Sequence, residues 1–211
     1  MKQNIKIAIL GGTGKIGSYL VKQLTNQGFE IKMLVRNPDK LTNLNPLPEI
    51  IHGNAKDLAA IRELLEGCQA VINTMGHTKG EEPVFSTVTS YIIQVMKEYN
   101  IRRYIVVAGL GVDVPGDKKD FKTKLQTKII HWLFPKIVAD HQKEFDLLVK
   151  SDIDWTLIRL PFVKLVPSIG ELKVKTDNCP GKNVSATDLT NFMIRQVSDL
   201  TYNEKAPFVS N

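Results

Sequence analysis

Ile7-Ala8-Ile9-Leu10 passes directly into Gly11-Gly12-Thr13-Gly14-Lys15-Ile16-Gly17. Four apolar residues, glycines at 11, 14 and 17 and an amphipathic run from Ile16 predict a buried strand, a tight turn and a helix that opens inside the turn. Glycine at 11 permits a sharp turn, and glycine at 14 lets backbone approach a pyrophosphate with no Cβ in between. Gly17 lets the helix lie close to the strand, and the helix N-terminus offers unpaired N–H groups to phosphate. A P-loop is excluded: a loop ending at Gly14-Lys15 would need glycine at position 9 and Ser or Thr at 16, and both are isoleucine.

Beyond the turn, short apolar runs alternate with helical patterns. Ile16, Leu20, Val21 and Leu24 keep a helical stripe that stops at Asn26-Gln27-Gly28. Residues 30–35 read as a second strand ending at Arg36, with Asn37 as a cap and Pro38 at the first helical position. Ile50-Ile51-His52 is a short third strand leaving through Gly53-Asn54, and residues 70–73 form a fourth, leaving through Thr74-Met75-Gly76. Residues 84–96 carry a clean helical stripe; residues 104–108 are a fifth strand with the exit Gly109-Leu110-Gly111. A partly helical connection over 118–151 is interrupted at Pro135, and residues 155–159 form a sixth strand. Ser185-Ala186-Thr187-Asp188 opens another helix, and residues 206–209 close as an edge strand. This alternation predicts the α/β class: one domain over residues 1–211, with a doubly wound, mostly parallel sheet and helices on both faces. In the strand order 3-2-1-4-5-6 the ligand crevice opens between strands one and four, and the exits of strands five and six shape it too.

With 211 residues and 43% hydrophobic content the chain can bury one sizeable core. No run approaches the ~18 apolar residues of a membrane span, and the start lacks a signal peptide's apolar core, so a soluble cytoplasmic protein with no membrane partner is expected. Cys68 and Cys179 match neither metal nor redox spacing and read as reduced structural thiols; no metal site is expected. The net charge of +6 is concentrated at Lys118, Lys119, Lys122, Lys124 and Lys128. Spacings of four place Lys118, Lys122 and Lys119 near one helix face, away from Leu125, Ile129 and Ile130, which reads as a solvated face rather than a nucleic-acid surface.

An NAD site places Asp or Glu at the end of the second strand; Arg36 stands there instead, a guanidinium suited to a 2′-phosphate. With Lys15 as a second cation, NADP(H) is preferred over NAD(H). Asn54 and Asp57 face the adenine side in this scheme, Asp57 serving either there or as a helix cap.

The glycine loop, Leu34-Val35-Arg36-Asn37, Asp140-His141 ahead of Asp154-Trp155-Thr156-Leu157-Ile158-Arg159, and the tail Lys205-Ala206-Pro207-Phe208-Val209 together resemble atypical short-chain dehydrogenases/reductases. The branch they resemble is the NAD(P)-binding, NmrA-like group that includes biliverdin/flavin reductase-like proteins and quinone reductases. The resemblance covers essentially the whole chain and implies a Rossmann domain. It places NADP along Gly11, Thr13, Gly14, Lys15 and Ile16, at Arg36, and across Thr74, Met75 and Gly76. Ala108 at the end of strand five is expected among the cofactor-binding residues, and the resemblance implies that Pro161 after strand six lies beside the nicotinamide.

The Tyr-x-x-x-Lys pair of typical members is missing: four residues after Tyr19, Tyr91, Tyr99, Tyr104 and Tyr202 stand Gln23, Val95, Arg103, Ala108 and Ala206. A serine frequent after strand five in flavin-reductase-like relatives is replaced by Gly109-Leu110-Gly111. Hydride transfer to a planar small-molecule acceptor, quinone or flavin, fits this set, because the cofactor carries the hard chemistry and solvent can supply a proton. His141 is the side chain best placed to assist catalysis; it could equally be a helix histidine packed under the sheet. His77 is a fainter candidate, and His131 beside Trp132 reads as packing. The alternative is a non-catalytic NADP(H) sensor that regulates a partner protein.

Overall fold

The computed structural model describes residues 5–37 and 48–211, so the expected cap at Pro38 lies outside the described residues. Side chains alternate across each buried strand, and the first strand shows the result. In β1 (Lys6–Leu10), Ala8 and Leu10 enter one core cluster and Ile7 and Ile9 another. A strand buried on both faces must be covered on both, and the chain supplies the cover from alternating helices.

In chain order the elements are β1, α1 (Lys15–Asn26), β2 (Glu30–Val35), β3 (Glu49–His52), α2 (Leu58–Leu65), β4 (Ala70–Asn73), α3 (Phe85–Glu98) and β5 (Arg103–Gly109). There follow α4 (Phe121–Leu133), α5 (Pro135–Val149), β6 (Asp154–Leu160), β7 (Phe162–Lys164), β8 (Lys173–Lys175), β9 (Asn183–Ser185), α6 (Ala186–Arg195) and β10 (Phe208–Ser210). Among the described residues the main sheet has the order β3-β2-β1-β4-β5-β6-β10-β8, parallel throughout except where β8 meets β10. The single α/β domain carries α2, α3 and α5 on one face of this sheet and α1 and α6 on the other.

The direction of winding reverses between β1 and β4, where Leu10 pairs with Asn73. Thr74 locks the two exits together: its N–H and its hydroxyl donate to the Leu10 carbonyl at 3.0 and 3.1 Å. Loops 11–14 and 74–76 are therefore neighbours, as the Rossmann order requires.

Three expectations are corrected. Residues 206–209 do not form an edge strand, because β8 pairs antiparallel on the outer side of β10 and encloses it. Lys118 and Lys119 precede α4 instead of lying on it, since Asp120 caps that helix by accepting from the Thr123 N–H at 2.8 Å. Lys119 is buried, with its ammonium against Asp113 and Asp117. The break at Pro135 is found as read, with proline in the first turn of α5.

Arg159 on β6 is fully buried. Its guanidinium donates to the carbonyls of Ala206 (2.8 Å), Thr176 (2.9 Å) and Val112 (3.3 Å) and to the Asp117 carboxylate (2.7 Å). It also sits 3.6 Å from the centre of the Phe208 ring. Removing one partner of a buried pair strands the other, so Arg159→Met should lower stability by roughly 3–5 kcal/mol, read as the midpoint shift in urea unfolding.

Candidate functional site

At the exit of β1 the backbone turns through Gly11 with φ +75°, and a Cβ there would lie 2.6 Å from the Met75 nitrogen. At Gly17 a Cβ would meet the Gly11 carbonyl oxygen at 2.0 Å. The turn, the β4 exit and α1 thus approach to a distance that only glycine permits at these positions. Gly14 is the N-cap of α1; no side chain caps it and no acidic residue occupies the first turn. The N–H groups of that turn and the positive end of the helix dipole are left for an anion.

Two adjoining cavities of about 240 and 270 Å³ open along this edge of the sheet, together on the scale of a cofactor site. Gly11, Thr13, Gly14, Arg36 and Asn54 line the first. Ile16, Ala108, Pro161 and His141 line the second. Thr74, Met75, Gly76 and His77 border both.

Lys15 is not brought to Arg36: as the first residue of α1 it borders a separate hollow beside Phe162 and Lys164. The second cation on the Arg36 wall is Lys56, and Glu81 lies between the two, 3.1 Å from Arg36 and 3.9 Å from Lys56. Asp57 caps α2, accepting from the Ala59 N–H at 2.9 Å, which decides between its two readings. His131 does not pack; its ring is half-exposed with Nε2 2.9 Å from the Gly111 carbonyl, and Trp132 faces solvent.

His141 is buried and stacks on Phe85, with ring centres 3.8 Å apart and planes 17° from parallel. Its Nδ1 lies 2.8 Å from Oε2 of Glu144, one helical turn on and fully buried. The other Glu144 oxygen accepts from the Thr89 hydroxyl at 2.6 Å. Thr89 and the Tyr104 hydroxyl are 3.0 Å apart, and Tyr104 accepts from the Asn73 amide at 3.0 Å. Asn73 in turn accepts from the Met75 N–H at 2.9 Å, inside the β4 exit. Each donor in this series has one acceptor, and the direction of donation ends on the carboxylate. Glu144 engages the ring through Nδ1, and Nε2 is the ring nitrogen it leaves free. Asp140, the neighbour of His141, is structural: it receives the Ser86 hydroxyl and N–H at the start of α3, which has no side-chain cap of its own. Burial pushes the Tyr104 hydroxyl far above its ordinary range and the Cys68 thiol up to about 11, so neither serves as an acid or nucleophile near neutrality. Among the described residues no cluster of His, Cys, Asp or Glu could hold a metal ion.

Residues 11–200 match a family described as NAD(P)H-binding. The chain belongs to this family. It is similar to the uncharacterized protein YwnB of Bacillus subtilis, 25% identical over 154 residues that make up 73% of this chain and 70% of that one. A putative dihydroflavonol 4-reductase of Synechocystis is 30% identical over 123 residues, covering 53% of this chain but only 36% of the relative. Among solved structures, the anaerobillin reductase ChuY of Escherichia coli O157:H7 superposes with a TM-score of 0.81 at 16% identity over 97% of this chain and 96% of that one. At that identity the likeness is one of fold.

An alanine at 17 would force its Cβ into backbone on two sides, at the Gly11 carbonyl and the Gly12 Cα. Gly17→Ala is expected to weaken NADPH binding at least tenfold and to lower stability by about 1–3 kcal/mol, measured by calorimetric titration and urea unfolding.

Proposed function

We propose that the protein is an NADPH-dependent reductase that passes hydride to a small planar acceptor of the quinone or flavin class. The observation that carries this reading is the division of one crevice into two parts. A cavity of mixed polarity at the glycine turn, where Arg36 and Lys56 stand against Glu81 and Glu82, joins a largely apolar one floored by Ala108 and Pro161 and flanked by His141. Gly11, Thr13 and Gly14 with the α1 N-terminus would hold the pyrophosphate, Asn54 would lie on the adenine side, and Thr74, Met75 and Gly76 would line the passage between the cavities. Ile16 and Pro161 would flank the nicotinamide.

Arg36 and Lys56 supply the charge for a 2′-phosphate. Their partner Glu81 competes, but an exposed ion pair is worth only about 0–1 kcal/mol, and a phosphate dianion outweighs it. When bound, the reduced nicotinamide supplies a hydride. The acceptor also needs a proton; His141 as the imidazolium would give it from Nε2 and regain it from solvent, with Glu144 holding the ring through Nδ1 and balancing its charge. The apolar walls at Ile130, Ile137 and Pro161 suit a flat, weakly polar ring system.

Steady-state oxidation of NADPH against a panel of quinones and flavins tests the reading. Turnover with at least one acceptor is expected, and His141→Asn should lower kcat roughly 100-fold while leaving the affinity for NADPH unchanged. Tight NADPH binding with no oxidation by any acceptor would overturn it in favour of a sensor.

The cofactor preference has a separate test. Arg36→Ala should weaken NADPH binding by roughly 1.5–3 kcal/mol and leave NADH almost untouched in paired titrations. Equal losses for both nucleotides would remove the phosphate-reading role.

A further inference from the structure

Helix α4 is seated on the protein by its polar side. Thr123 and Thr127 are buried against the body of the domain, while Phe121, Leu125, Ile129 and Trp132 are exposed. At 3.6 residues per turn those four fall on one stripe, with Lys124 and Lys128 along one border and Lys122 along the other. The two rings that bound the stripe are the most exposed large apolar side chains described, Phe121 at 80% and Trp132 at 81%. Leu133 and Phe134 extend the patch at the C-terminal end. A soluble helix ordinarily turns this stripe toward its own core, so a stripe turned outward marks a surface built for contact.

The charge around the stripe identifies what it meets. No acidic residue occurs between Asp120 and Asp140, whereas Lys122, Lys124, Lys128 and Lys136 do. Lys136 is held by Glu82 at 2.7 Å, and the other three border the apolar stripe. A second copy docking through a two-fold axis would set these lysines against the same lysines. An anionic bilayer surface complements both features: aromatic rings settle at headgroup depth, and flanking ammonium groups reach lipid phosphates along their aliphatic stems. The opposite rim of the crevice repeats the pattern on a small scale, with Phe162 71% exposed next to Pro161 and followed by Lys164.

We infer that α4 docks the protein, by its Phe121/Leu125/Ile129/Trp132 face, on an anionic membrane surface. No spanning segment is involved; among the described residues no helix is long and apolar enough to cross a membrane. The same helix contributes Ile130 to the wall of the second cavity, so the docked face and the crevice mouth adjoin. The inference stands on the helix alone and does not depend on which acceptor the crevice takes.

The chain has its own reporter, because Trp132 is exposed and the only other tryptophan, Trp155, is buried in the core. Vesicles of phosphatidylglycerol mixed with phosphatidylcholine should shift the emission of the full chain to the blue and carry it into the pellet on sedimentation. Pure phosphatidylcholine vesicles should do neither. Raising NaCl from about 0.05 M to about 0.5 M should release most of the protein. The double variant Phe121→Asp, Leu125→Asp should lose at least tenfold in vesicle affinity while its circular dichroism and NADPH binding stay unchanged. Absence of shift and pelleting with anionic vesicles at low salt would overturn the inference. Equal, salt-insensitive binding to neutral vesicles would also overturn it. So would a blue shift that grows with protein concentration in the absence of lipid, together with dimers in analytical ultracentrifugation, since the stripe would then belong to a second copy.

Discussion

One buried guanidinium organises the half of the sheet on which the crevice depends. Arg159 reaches from β6 to the loop after β5 through Val112 and Asp117, to the segment after β8 through Thr176, and to the C-terminal tail through Ala206 and Phe208. None of these segments has a continuous hydrophobic stripe of its own, and each gains a fixed position from a hydrogen bond made in a dry setting. A charge buried this deeply is tolerable only because every direction of its fork is answered. The wall at Gly109 and Gly111 is held in place from behind by this arrangement.

A second polar system runs along the same face of the sheet, nearer β4, under α3 and α5. From the Met75 N–H through Asn73, Tyr104, Thr89 and Glu144 to His141, successive hydrogen bonds join β4, β5, α3 and α5. Its two ends lie in the passage between the cavities and in the apolar cavity itself. The β4 exit and the His141 ring are thereby placed relative to each other by a rigid series of short contacts inside the core. Apart from the Asp140–Ser86 contact, α3 and α5 meet largely through apolar side chains, which fix their positions less specifically.

The glycine turn, the strand order and the part of the first cavity built on strand exits were legible because their signals are local. Gly11, Gly14 and Gly17 lie within one turn of chain, and Arg36 follows directly on an apolar run. Lys15 misled because adjacency in sequence does not fix direction, and the first residue of α1 turns to another hollow. Lys56 carried a weak signal, two residues beyond Asn54. Glu81 and Phe85 carried none, being brought to the site from the loop before α3 and from its first turn. Glu144 stood at helical spacing from His141, which was the available clue to the pair. The short strands β7, β8 and β9 have only three residues each, too few for a period-two pattern to register.

The enclosure of β10 bears on how the molecule is made. Every partner of Phe208, Val209 and Ser210 precedes them in the chain, yet the strand enters between β6 and β8 instead of adding to the rim. Without these residues in place, β6 shows a bare parallel edge, and Arg159 lacks the Ala206 carbonyl and the Phe208 ring. Exposed edges of this kind invite pairing with other chains. Withdrawal of β10 would therefore turn a closed interior position into an open edge and create an aggregation hazard.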